Sequence, residues 1–157
     1  MKVLFVCLAN TCRSPMAEAV FKHLILKNHL TNWKTDSAGL RDWNVGLRAQ
    51  GRAQELLQQH GLKSEHITRV ITVDDFYYFD FIFGMDESNI TELQLIAEKL
   101  EPPAPCQIQY LGSYLNREED KIIKDPYFSQ GMASFHTAYL QIRESCERFV
   151  EQYRPEA

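Results

Sequence analysis

The chain has 157 residues and a formal net charge of −4, which suits one domain with a full core and disfavours nucleic-acid phosphates as a general partner. No apolar run approaches the length needed to cross a bilayer, and the N-terminal one is too short for a signal peptide and is interrupted by Asn10 and Arg13. Cysteines at positions 7, 12, 106 and 146 do not form a dense disulfide framework, so a reducing, cytoplasmic setting is expected.

Apolar periodicity predicts strands alternating with helices. Residues 2–7 read as a buried strand and residues 15–27 as a helix with Met16, Val20, Phe21 and Leu24 inward. Residues 33–37 form a second strand closed by Ala38-Gly39, and residues 47–59 a helix ended by His60-Gly61. A third strand is predicted over 79–85, followed by a helix over 87–99 with Asp86 as its cap. The aromatics Phe76, Tyr77, Tyr78, Phe79, Phe81 and Phe83 read as core or surface packing. Pro102, Pro103 and Pro105 break the chain before a fourth strand near 108–111. A polar loop over 116–121 leads to Asp125, and residues 132–152 close as a long helix. There is no internal repeat or linker. The pattern predicts a three-layer α/β fold, a doubly wound four-stranded parallel sheet with helices on both faces. Ligands of such sheets bind outside the carboxyl ends of the strands.

Cys7 stands at one of those ends. It opens the turn Cys7-Leu8-Ala9-Asn10-Thr11-Cys12-Arg13-Ser14-Pro15, in which Ser14 reads as a helix N-cap and Pro15 as the first helical residue. Inward backbone N–H groups and the helix dipole welcome a tetrahedral oxyanion, and the same field favours thiolate at Cys7. Arg13 adds a planar fork able to grip two phosphate oxygens. The residues describe a nucleophile inside an anion cradle. Cys7 could attack phosphorus in line, with the amides of residues 8–13 and Arg13 holding the equatorial oxygens. Ser14 can also donate a hydrogen bond to the sulfur.

Residues 7–15 resemble the active-site loop of the low-molecular-weight protein tyrosine phosphatases. The segments Asp36-Ser37-Ala38-Gly39, Asp42-Trp43-Asn44-Val45-Gly46, His60-Gly61, Met85-Asp86-Glu87-Ser88-Asn89, Leu111-Gly112-Ser113-Tyr114 and Asp125-Pro126-Tyr127 match in the family's order, over essentially the whole chain. The resemblance implies a single domain over residues 1–157 that hydrolyses phosphorylated side chains through a cysteinyl-phosphate. It makes Asp125 the general acid and then the base for water, although an Asp-Pro pair by itself is a turn starter. It places Trp43, Asn44, Tyr127 and Phe128 with Thr11 around the substrate, and Asn10, Ser14, Ser37 and His66 behind the loop. It also gives Cys12 a protective reversible disulfide with Cys7, against the plainer reading of a structural thiol.

Three departures stand out: Ala9 where the family usually has Gly, Thr11 where tyrosine-directed members have Ile, and Tyr127-Phe128 where those members pair two tyrosines. Thr11 resembles the protein arginine phosphatase branch. A hydroxyl-bearing side chain loses apolar contact with a phenyl ring but meets a guanidinium, a discrimination of about 1–3 kcal/mol. Phosphoarginine is therefore favoured, with phosphotyrosine alongside it or in its place.

Two rival readings remain. An arsenate reductase would need further resolving cysteines, for which only Cys106 and Cys146 remain, without paired spacing. A non-catalytic phosphate-loop module would follow if Ala9 crowds the loop. Cys7 and Cys12 could supply two zinc ligands, but no second pair follows at finger spacing and the histidines are scattered. No metal or other cofactor is expected. The expected partners are phosphorylated proteins or peptides, with neither nucleic acid nor membrane, met by a monomer with at most weak self-association.

Overall fold

The central strand β1 (Lys2–Cys7) alternates its side chains between two apolar layers and is therefore buried on both faces. The computed structural model describes residues 1–156. Beside β1 lie β2 (Lys34–Gly39) and β3 (Phe81–Gly84), and β4 (Gln107–Tyr110) completes a parallel sheet of order β2-β1-β3-β4. Val3, Phe5 and Cys7 face one layer, built with α1 (Arg13–Lys27), α2 (Gly51–Gln59) and α5 (Ala133–Tyr153). Leu4 and Val6 face the other, where Phe76 of α3 (Val73–Tyr78) and Leu93 of α4 (Glu87–Glu98) pack. This is the doubly wound three-layer arrangement expected from the strand and helix pattern.

The first layer is organised by Phe149, whose ring centroid lies 5.0 Å from Phe81, 5.2 Å from Phe83, 5.3 Å from Tyr114 and 5.9 Å from Phe21. Edge-on pairing of this kind adds to the area buried. Met16, Val20, Phe21 and Leu24 of α1 are all buried here as expected. Cys7 ends β1 opposite Gly39 of β2, so the turn after Cys7 leaves from the middle of the sheet.

Four expectations need correction. α1 begins at Arg13, not Pro15, and Ser14 makes no cap because its hydroxyl is engaged by Cys7 and Asn10. α2 begins at Gly51 rather than Leu47. The preceding backbone is taken elsewhere: Thr68 N donates to Leu47 O (2.8 Å) and Gln50 N to Thr11 O (2.8 Å). The six-residue α3 is not among the expected elements; it takes in Phe76, Tyr77 and Tyr78, which read from the sequence only as core or surface packing. There Thr72 N donates to Asp75 Oδ2 (2.8 Å), an arrangement the Thr72 and Asp75 spacing could have signalled. β4 ends at Tyr110, and Leu111 starts a 3₁₀ turn running to Tyr114.

Candidate active site

Gly39 is the reason the turn after Cys7 can sit close to β2. A Cβ there would come within 3.0 Å of Ala9 C, Asn10 Cβ and Asn10 N. Leu40 N donates to Cys7 O (3.1 Å) and Arg41 N to Leu8 O (2.9 Å), so the loop is stitched to the chain leaving β2. The left-handed backbone falls on Asn10, with φ 54°, and not on Ala9. Asparagine tolerates that region better than most residues. Ala9 therefore does not strain the loop, and the crowding that would have favoured a non-catalytic module is absent.

Asn10 is fully buried and uses all its amide capacity. Its Nδ2 donates to Ser14 Oγ (2.8 Å) and Ser37 Oγ (3.0 Å). Its Oδ1 accepts from His66 Nε2 (2.7 Å) and Arg69 N (3.2 Å), and its own carbonyl accepts from Thr68 Oγ1 (3.0 Å). Because Asn10 donates to Ser14, the Ser14 hydroxyl proton is free to point at Cys7 Sγ, 2.9 Å away. Ser37 Oγ in turn donates to Glu18 Oε1 (2.7 Å).

His66 closes the network. Its Nδ1 lies 3.0 Å from Glu18 Oε1 and 3.3 Å from Asp36 Oδ1. Burial opposes charge on the ring, but hydrogen bonds to Asp36 and Glu18 outweigh it and raise its pKa to about 9. Against their own burial, the same pairing lowers the pKa values of Glu18 and Asp36. With both ring nitrogens donating, the imidazolium is a fixed prop for Asn10. Glu18, Asp36 and His66 offer ligand atoms within 4.8 Å of one another, a spacing a metal ion could accept and one that the ion pairs of His66 with both carboxylates also explain.

Arg13 is 2 % exposed, and its Nη1 donates to Asp86 Oδ2 (2.7 Å) and Ile123 O (2.7 Å). Burial notwithstanding, the Arg13 guanidinium holds Asp86 below the usual carboxylate range. Asp86 also caps α4, as expected, by accepting from Asn89 N (3.0 Å). On its other side, Arg13 Nη2 lies 3.7 Å from Asp125 Oδ2, while Asp125 Oδ1 accepts from Tyr127 N (3.0 Å). A residue whose place could not be read from spacing is thus brought to the anion cradle.

These groups share one pocket of about 170 Å³, lined by Cys7, Leu8, Ala9, Thr11, Cys12 and Arg13 below and by Trp43, Asn44, Asp125, Tyr127 and Phe128 around the mouth. Trp43, Tyr127 and Phe128 are exposed, the last two in edge-on contact with ring centroids 5.1 Å apart. Cys12 is buried, and burial together with Cys7 pushes its thiol up to about 12. Every site residue expected from the sequence lies in this pocket or directly behind it. Glu18, Asp36, Thr68, Arg69 and Arg52 were missed. A charged Glu18 on the inward side of α1 and an Asp immediately before Ser37 were the available signals.

Comparison with known proteins gives the family. The model for low molecular weight phosphotyrosine protein phosphatase matches residues 2–157. The chain is 42% identical over 151 residues to low molecular weight phosphotyrosine protein phosphatase 1 of Drosophila melanogaster, covering 96% of each. Against the phosphatase of Sus scrofa it is 41% identical over 153 residues, 97% of this chain and 95% of the relative. Among solved structures, a drosophila arginine phosphatase, DARP, superposes with a TM-score of 0.97 at 60% identity, covering 100% of both chains. Primo-1 gives 0.92 at 41% identity, over 98% and 99%. The chain belongs to the low molecular weight phosphotyrosine protein phosphatase family.

Proposed function

We propose that this phosphatase removes the phosphoryl group from arginine side chains of proteins, with Cys7 as nucleophile and Asp125 as general acid. The pocket supports a cysteinyl-phosphate route. Cys7 sulfur attacks phosphorus, the S–P bond forms, and the P–N bond breaks with its electron pair going to guanidine nitrogen. Asp125 supplies the proton to that nitrogen. Water then attacks phosphorus and gives a proton to the Asp125 carboxylate, Cys7 leaves as thiolate with Ser14 donating to it, and inorganic phosphate departs. Amides of residues 8–13 and the Arg13 fork hold the equatorial oxygens through both steps. No step needs a cofactor.

The observation that carries the substrate is Thr11 lining the same pocket as Trp43 and Tyr127. A hydroxyl there suits a guanidinium, while the aromatic wall stacks on its plane. Similarity to an arginine phosphatase along the whole chain supports the same choice. Phosphotyrosine is the second reading, favoured by the relatives whose names carry it and by the same aromatic wall. An arsenate reductase is not favoured. Cys146 is fully buried in α5 and Cys106 packs on the opposite face of the sheet, so neither lines the pocket.

Cys12 stays protonated while Cys7 works, and it serves as the thiol that traps an oxidised Cys7 as a disulfide. The cysteines are free, which suits the reducing cytoplasm. No helix among the described residues is long and apolar enough to cross a membrane. Peptide kinetics test the substrate: wild type is expected to cleave phosphoarginine efficiently, and Thr11→Ile to move preference toward phosphotyrosine about tenfold. A wild type inert on phosphoarginine peptides removes this reading.

A further inference from the structure

Arg52 enters neither the anion cradle nor the network behind it, yet its guanidinium holds the segment that carries the acid. It sits in the first turn of α2, where a positive charge opposes the helix dipole and no acidic residue shares the turn. Its position calls for another explanation. Helical side chains lean back toward the N-terminus, and here that direction leads to residues 127–131. Arg52 Nη1 donates to Ser129 O (2.5 Å) and Gly131 O (3.2 Å), and Nη2 donates to Tyr127 O (2.8 Å). The guanidinium lies 4.5 Å from the ring centroid of the fully buried Phe135, which fixes its plane. A planar fork with five N–H donors suits three carbonyls reached from one anchored face.

The held segment has little else to hold it. Ser129 N donates to Pro126 O (3.1 Å), and Tyr127 and Phe128 are exposed. Yet the orientation of Asp125 depends on it, because Asp125 Oδ1 accepts from Tyr127 N. At its other end Arg52 is tied to the anion cradle. Gln50 Oε1 accepts from Arg52 N (2.6 Å), and Gln50 N donates to Thr11 O (2.8 Å). The path runs from Thr11 through Gln50 and Arg52 to Tyr127 and Asp125.

We infer that Arg52 is a positioning residue for the proton-transfer step, setting the distance between the general acid and the phosphate held by residues 8–13. The role rests on Asp125 being that acid. It predicts a signature that general damage to the fold does not produce: a loss that depends on how much the leaving group needs a proton.

The test uses the full chain and three aryl phosphates, phenyl, 4-nitrophenyl and 2,4-dinitrophenyl, comparing kcat/KM for wild type, Arg52→Met, Arg52→Lys, Asp125→Asn and Cys7→Ser. A general acid contributes roughly 100-fold or more. Arg52→Met is expected to lose about tenfold on phenyl phosphate and under about twofold on the dinitrophenyl ester, with Asp125→Asn showing the same trend more steeply. Arg52→Lys, with one ammonium for three carbonyls, falls between wild type and Arg52→Met. The ratio between substrates is independent of how much of a variant is folded. Equal losses on all three esters, or none, overturn the role of Arg52. Turnover by Cys7→Ser would instead overturn the site itself.

Discussion

Replacing His66 by glutamine removes the one cation between Glu18 and Asp36, and the consequence has a definite sign with pH. In the folded chain the imidazole pKa rises from its ordinary 6.5 to about 9. The native state keeps its proton between those values while the unfolded state has released it, so stability falls as pH rises. The contribution is fully present below pH 6.5 and is gone once pH passes about 9. At about 1.4 kcal/mol per pH unit, this is worth roughly 3 kcal/mol, a large share of a typical domain's stability. Urea unfolding of wild type and His66→Gln should be followed from pH 6 to pH 10. The difference between the two stabilities is expected to be largest at the acid end and to shrink by about 3 kcal/mol across the window. Titrating groups that do not pair with His66 are common to both proteins and cancel in the difference. Parallel stability curves would show that His66 is not held as a cation, and the account of the Asn10 network would be wrong with it.

Gly39→Ala pushes a methyl against Ala9 and Asn10 at 3.0 Å. It is expected to cost about 1–3 kcal/mol in urea midpoints and to weaken inhibition by inorganic phosphate. Asp86→Asn keeps the α4 cap and removes the charge opposite Arg13, whereas Asp86→Ala removes both. Both variants should be less stable than wild type, with the alanine lower by a further ~1 kcal/mol, the worth of the cap. Phe149→Ala empties the centre of the aromatic layer and is expected to cost about 3–5 kcal/mol in calorimetry or urea titration.

What could be read from the sequence was local. The run Val3 to Val6 announced a strand buried on both sides, and the turn from Cys7 to Pro15 announced an anion site at its end. Asp125 entered only through family resemblance, since nothing near an Asp-Pro pair says that it will meet Arg13 from a hundred positions away. The helix start was misjudged because Ser14 has the chemistry of a cap, and only the folded chain shows that Cys7 and Asn10 claim its hydroxyl first. Glu18 and Asp36 escaped for the same reason, and His66 entered only through the resemblance: each is an ordinary polar residue on its own, and their meaning lies in where the fold brings them together. Arg52 points the other way along the scale of distance. Its carbonyl partners lie on a loop that carries no apolar pattern, so no periodicity could have tied the two together.

The buried amide of Asn10 gives the polar network a sense of travel. Every link hands its hydrogen the same way, from a charged ring through an amide and an alcohol to a sulfur, much as a row of one-way valves. An aspartate in that place would fit the same space but could give nothing onward. Ser14 would then turn its hydrogen inward and leave the sulfur bare. Shape alone therefore does not specify position 10: the residue there must both receive and give.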